Sequence, residues 1–322
     1  MMLDVLHHLD SRDNLNMILK RIFGAQTAAV LRPPFLPYLL GQGVSALGDR
    51  VTSVALPAVV LSLGGAATDL AMLAAWSSGA QVALLLVGGL LVDRLPRRAV
   101  MLTTDVLRAI VLALIAWQLT RGGASITLIL VLSTILGACG AIFYPATASI
   151  LPQLVDDHEL VQANALRNLS NQLSGVIGPA FGGLLIAFGG VSLALGLDAL
   201  SFAVGAFGLF LMRPRIRQVQ PRENTSIWTE VSEGFRVILA STWLWLTVVL
   251  FAVVNIFMGG MNVIVLPLYA RDVLGATESL GWLYAAQAVG AIIAALLLGR
   301  MGRIRHRVWW RTRRWCSRGL HC

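Results

Sequence analysis

The amino-acid sequence predicts an all-α integral membrane protein, a bundle of about eight spanning helices. Three observations carry that prediction. Of 322 residues, 57% are hydrophobic and 13% charged, with a mean hydropathy of +0.76; a soluble domain of this size carries about a quarter charged residues. Apolar runs of about 20 residues recur, the length that crosses a hydrocarbon core of about 30 Å. The connections between most runs are short and charged, too short to hold a soluble domain. In lipid every backbone polar group has to be satisfied within its own segment, so these runs are expected as helices. A β-barrel would show short alternating segments instead, and the chain shows none.

The elements follow in order. Residues 1–35 hold no signal-peptide core, because Lys20, Arg21 and Arg32 interrupt any apolar run, and they read as a cytoplasmic N-terminal extension. Spans are predicted at 36–62, 69–92, 99–119, 125–150, 163–188 and 191–212, which together make one six-helix unit. A linker at 213–242 starts with Arg213, Arg215 and Arg217. It then places Ile227, Val231, Phe235 and Ile238 at helical spacing, the pattern of an amphipathic helix on the membrane surface. Two more spans are predicted at 243–269 and 278–299, followed by a basic tail at 303–322.

Positive residues set the orientation. Arg94, Arg97 and Arg98, then Arg213, Arg215, Arg217 and Arg222, then the tail, fall on one side; the other side holds Arg121 and Arg271. Retention of basic loops in the cytoplasm puts both termini there. The net charge of +9 is therefore a topology signal. Nucleic-acid binding would need a soluble basic surface, which the chain lacks outside its tail, so no nucleic-acid partner is expected. Cys139, Cys316 and Cys322 have the spacing of neither a disulfide framework nor a zinc site.

The chain repeats itself. Val54 to Pro57 is echoed by Ile264 to Pro267, and Leu90 to Arg97 by Leu296 to Arg303, at offsets of about 210 and 206 residues. Spans seven and eight thus look like copies of spans one and two. Transporter halves related by an axis along the membrane normal are built this way.

With these residues in view, the chain resembles the major facilitator superfamily, and within it bacterial exporters of the enterobactin-exporter and macrolide-efflux type. Gly89, Asp93, Arg94, Arg97 and Arg98 match the first motif of that superfamily, with Pro96 where glycine is usual. Gly41 to Asp49, Tyr144 to Ala146, Gly178 to Gly183, Leu197 to Phe202 and Leu266 to Gly275 look like the same group, over about residues 35–302. The resemblance implies a major facilitator-type helical bundle with twelve spans in two halves around a cavity, of which about eight are present here. It implies a multi-pass protein of the bacterial inner membrane that exports a small amphipathic molecule, a hydrophobic drug or a siderophore-like compound, with protons as coupling ion. The Arg-, Trp- and Cys-rich tail suggests an interrupted reading frame, or else a polybasic segment lying on anionic lipid. The alternative to export is a truncated membrane protein without transport of its own.

The resemblance gives Gly89, Asp93, Arg94, Arg97 and Arg98 the role of a conformational switch that locks one half against the other. The competing reading is that the arginines only enforce topology. Asp49 and Arg50 fall near mid-membrane, where ionisable groups are expensive and face a cavity or a partner. A proton-coupled exporter needs a carboxylate that alternates between protonated and ionised forms, and Asp49 is the first candidate, against a fixed ion pair. Asp105 and Arg108, three apart, share one helix face and read as a structural pair before a proton relay. Asp198, inside the sixth span, is a further candidate for coupling, gating or packing. Gly175, Gly178, Pro179, Gly182 and Gly183 allow close helix approach and a bend; the resemblance implies a leak-limiting helix contact there. Gln81, Gln172, Asn255, Asn262 and Gln287, with Trp76, Phe143, Tyr144 and Phe257, are candidate cavity residues. Asp156 to Glu159 reads as a helix cap rather than a metal site. Neither a nucleophile–base pair, a phosphate-binding loop nor a metal cluster is found, so no enzyme, cofactor or metal is expected.

Overall fold

A computed structural model describes residues 30–31, 34–212, 236, 239–275, 279–280, 282–284, 286–287, 289–290 and 293. All regular structure among them is helical. The helices are α1 (Phe35–Ser62), α2 (Ala67–Arg94), α3 (Arg97–Arg121), α4 (Ile126–Ile150), α5 (Leu160–Leu211), α6 (Thr242–Gly260) and α7 (Leu266–Asp272). Five helical stretches among the described residues are long and apolar enough to cross a membrane. The N-terminal extension before Val30, the linker helix through Ile227, Val231, Phe235 and Ile238, and the tail lie outside the described residues. The described positions of the eighth span are helical.

Two expected spans, 163–188 and 191–212, are fused in α5, which runs for 52 residues. It is nevertheless two helices, because Gly190 has φ 76° and ψ 175° and breaks it. That region of backbone space is essentially open to glycine alone. The arms 160–189 and 191–211 are the fifth and sixth spans. Turn chemistry sets the other ends. Ser125 caps α4 by accepting from the Leu128 amide at 3.2 Å. Asp156 and Glu159 form the expected reciprocal cap before α5, with the Asp156 amide donating to Glu159 Oε2 at 3.3 Å.

α1 packs along both arms of α5, α2 lies on α4, and α3 bridges α4 and α5. Glycines permit the closest approaches. A Cβ on Gly182 would sit 3.0 Å from Val51 Cα, and one on Gly41 3.2 Å from Gly208 Cα. A Cβ on Gly178 would collide with the Arg50 side chain. Space around Gly175 is open, so this residue of the expected packing motif is not needed for contact.

The apolar core falls into two clusters. One gathers Val54, Ala58, Leu70, Leu112, Ile115 and Leu195. The other gathers Phe35, Tyr38, Met101, Ile150, Leu151 and Leu209. Along α1 the second cluster ends near Tyr38 and the first starts near Val51; along α3 the boundary lies between Met101 and Val111. Polar residues fill the interval on both helices, so a polar layer crosses the bundle between two apolar ones.

Proline marks the repeat differently in its two copies. Pro57 lies inside an uninterrupted α1, whereas Pro267 follows a π-helical turn, Met261–Val265. A proline ring clashes with the carbonyl four residues back, and a π turn relieves that clash.

Candidate functional site

The polar layer is built from helical spacing. Gln42, Ser45, Asp49 and Thr52 recur every three or four residues and so share one face of α1. Asp105 and Arg108 share a face of α3, and Asp198 and Ser201 a face of the second arm of α5. Packing turns these faces together. Gln42 Nε2 donates to Asp105 Oδ2 at 3.0 Å. Thr52 donates to Asp198 Oδ2, and Ser201 Oγ donates to Asp198 Oδ1 at 2.8 Å. Arg108 Nη1 lies 3.6 Å from Asp49 Oδ2.

Arg108 is the centre of this layer. Its guanidinium lies 4.7 Å from the centroid of Phe143 and 5.3 Å from that of Phe202. A desolvated cation on an aromatic face gains about 2 kcal/mol or more. Arg108, Asp105 and Asp198 are buried, whereas the Asp49 side chain keeps 40% of its surface accessible. Asp105 and Arg108 share a face as expected and act on each other through space, but they are not in ion-pair contact. α1 packs on the face the two residues share, so Arg108 reaches Asp49 and Asp105 turns to Gln42. Asp105 Oδ1 accepts no hydrogen bond among the described residues.

Asp49 opens onto a cavity of about 380 Å³. Tyr38, Gln42, Arg50, Tyr144 and Arg167 also line it. A second cavity, of about 340 Å³, lies between this bundle and the residues after the linker. Arg50, Gly175 and Pro179 line one side of it, and Asn262, Tyr284 and Gln287 the other. Arg50 and Ser53 border both cavities, so the two adjoin there. Among the expected cavity residues, Phe143, Tyr144, Asn262 and Gln287 border a cavity. Trp76 and Phe257 are exposed and border neither. Gln81 instead approaches Gly140 inside the bundle.

The turn between α2 and α3 is Leu95-Pro96, with Pro96 immediately before α3 at φ −57°. Asp93 and Arg94 occupy the last helical positions of α2; their side chains lie outside the described residues. Arg97 opens α3. Arg98 reaches across to α5, where Nε donates to the Leu209 carbonyl at 2.8 Å and Nη2 to the Phe210 carbonyl at 2.6 Å. These carbonyls belong to the last turn of α5, where backbone acceptors lack helical partners and cations are favoured. Gly89 has open space around it; the tight contact belongs to Gly88, whose Cβ would meet the Ala141 carbonyl.

Sequence reasoning passed over Gln42, Thr52, Ser201 and Arg167. The first three were readable, since Thr52 and Ser201 each stand three residues after a singled-out aspartate and Gln42 stands seven before Asp49, two turns along the same helix face. Arg167 gave no such signal: it stands near the start of the fifth span and enters the cavity only through the fold, with Nη1 donating to the Thr147 carbonyl at 3.0 Å.

The sequence profile described as Major Facilitator Superfamily matches residues 38–317. Similar proteins include the multidrug efflux pump Tap of Mycolicibacterium fortuitum, 29% identical over 286 residues, covering 84% of this chain and 68% of Tap. The enterobactin exporter EntS of Shigella boydii is 28% identical over 269 residues, covering 84% of this chain and 64% of EntS. An uncharacterized MFS-type transporter, YfiS of Bacillus subtilis, is 28% identical over 276 residues, covering 81% of this chain and 63% of YfiS. The chain thus spans about two thirds of the length of these relatives.

Proposed function

The chain belongs to the major facilitator superfamily, and from that premise we propose that it serves as a secondary exporter, moving a small amphipathic molecule out of a bacterial cell in exchange for protons. The names of Tap and EntS support efflux as the direction. The arrangement of basic loops supports an inner-membrane orientation with both termini in the cytoplasm.

One observation carries the coupling. Asp49 lies halfway along a membrane helix, faces a cavity and stands 3.6 Å from a buried arginine. Ionised, it holds α1 to α3 through Arg108. A proton arriving from the cavity neutralises it and leaves Arg108 on its two aromatic rings, so the α1–α3 tie weakens. Charge at membrane depth is costly enough for one proton to change which packing is preferred. Asp105 and Asp198, each hydrogen-bonded behind Asp49, keep the layer polar and hold its geometry.

Export is tested with the 322-residue chain reconstituted into proteoliposomes carrying an imposed pH gradient. Gradient-driven movement of an amphipathic dye is expected, and its loss in Asp49→Asn with dye binding retained. Flux in Asp49→Asn that still follows the gradient would remove Asp49 from coupling. Absence of flux in the unaltered chain would favour a membrane protein that does not transport by itself.

A further inference from the structure

Arg50 and Arg167 are the two cations on the cavity wall, and neither has a carboxylate within ion-pair distance among the described residues. Arg167 spends one donor on the Thr147 carbonyl, and its Nε, buried, meets no acceptor among the described residues. Arg50 offers no side-chain hydrogen bond there and borders both cavities. The one carboxylate on this wall, Asp49, is answered from behind by Arg108. The cavity wall therefore carries two guanidinium groups with no carboxylate in ion-pair contact among the described residues; Arg50 acts on its chain neighbour Asp49 only through space, and Arg167 faces the neutral Tyr38 hydroxyl.

We propose that the missing counter-charge is the substrate, so that this cavity takes a small organic acid with an aromatic or apolar body, its anionic group held by Arg50 and Arg167. This deepens the export reading by naming the substrate class, and it rests on that reading only for the direction of movement. A guanidinium presents a planar fork of donors that matches a carboxylate in two parallel hydrogen bonds. Phe143 and Tyr144 stand edge to face at 6.2 Å and both line the cavity, where Phe143 is buried beneath Arg108 and the exposed Tyr144 offers its ring to the body of the molecule. Cavities of about 380 and 340 Å³ that adjoin at Arg50 suit a molecule of drug size. An anion leaving an inside-negative cell also moves with the membrane potential.

The test uses the 322-residue chain in nanodiscs of zwitterionic lipid and two fluorescent probes with one aromatic body, pyrenebutanoate and a pyrenebutyl trimethylammonium. Binding is read as energy transfer from tryptophan to pyrene, against empty nanodiscs. The acid is expected to bind at least about tenfold more tightly than the cation. Arg50→Gln and Arg167→Gln should each weaken the acid by about tenfold and leave the cation unchanged, with Arg167→Lys recovering part of the loss. Equal or tighter binding of the cation, no saturable binding of the acid, or an acid preference that survives both Gln variants would each overturn the proposal. Binding is measured without a gradient, so acid binding in a chain that moves nothing sinks the export reading and leaves this one standing. Export of the cation alone does the reverse.

Discussion

At the scale of the residue, the polar layer concentrates its consequences in Arg108. It is buried, lies on two aromatic rings and faces one carboxylate at 3.6 Å. Removing one partner of a buried ion pair leaves the other without compensation, at a penalty of about 3–5 kcal/mol. Asp49 is spared most of that penalty, because its cavity face admits water or a proton. Asp49→Asn, which leaves the buried Arg108 guanidinium unpaired, should therefore lower the thermal midpoint of the detergent-solubilised chain by several degrees, and Arg108→Met, which leaves only the part-exposed Asp49, by clearly less. A thermal-shift series in which Arg108→Met is the worse of the two would contradict this account of the pair. Lysine at position 108 keeps the charge but loses the planar stack, so it should fall between wild type and Met. The residue types of this layer were legible in the sequence, since Asp49, Asp105, Arg108 and Asp198 interrupt apolar runs. Their partners were not. Spacing along one helix shows which residues share a face, and only the packing of α1 on that face decides that Arg108 meets Asp49.

At the scale of the element, small residues and one broken helix decide how the spans meet. Gly178 and Gly182 sit where α1 and the first arm of α5 cross, against Arg50 and Val51, while Gly175 faces open space. Overpacking a tight contact costs typically about 1–3 kcal/mol. Gly182→Val should accordingly reduce folded yield and thermal midpoint, and Gly175→Ala should not. The contrast is read by fluorescence-detected size exclusion after solubilisation. Equal effects would mean that the glycine run acts as a whole. Arg98→Gln should loosen the end of α5 by removing two charge-assisted bonds, with about 1.5–3 kcal/mol attached to each charged donor; hydrogen exchange at the last turn of α5 would report it as faster opening. The first seven spans were readable to within a few residues, because hydrophobic length is a property of local sequence. The division at Gly190 was readable as well, from the ends of two runs. Which glycine makes contact was not: Gly88 and Gly89 are adjacent and chemically the same, and only the position of Ala141 on α4 separates them.

At the scale of the whole molecule, the cavity at Arg50 lies between the six-span bundle and the residues after the linker, and the contacts that join those parts elsewhere include apolar packing of Ala270 and Leu280 into the first core cluster and two specific side-chain contacts. Arg271 Nη1 donates to the Gly65 carbonyl at 2.7 Å, bridging α7 and the α1–α2 loop. Phe188 packs edge to face on Trp282 with centroids 6.4 Å apart. Gly65 and Arg271 both follow spans that leave the cytoplasm in the orientation the basic loops favour, so on the export reading proposed above these contacts would shut the outer end of the gap. An exporter that alternates access has to break them to release its cargo. A hydrogen bond from a charged donor is worth about 1.5–3 kcal/mol, enough to shift a two-state balance by about tenfold or more. Arg271→Gln should therefore raise the share of outward-open molecules. The reporter is Ser53, which borders both cavities, replaced by cysteine in a chain whose native cysteines are serine. In right-side-out vesicles an impermeant maleimide should label Ser53→Cys several-fold faster when Arg271→Gln is also present, and in inside-out vesicles more slowly. Opposite changes on the two faces are what a gate requires. A rise on both faces would mean that the substitution has only loosened the protein, and no change on either would mean that the Arg271–Gly65 contact does not hold the outer end closed.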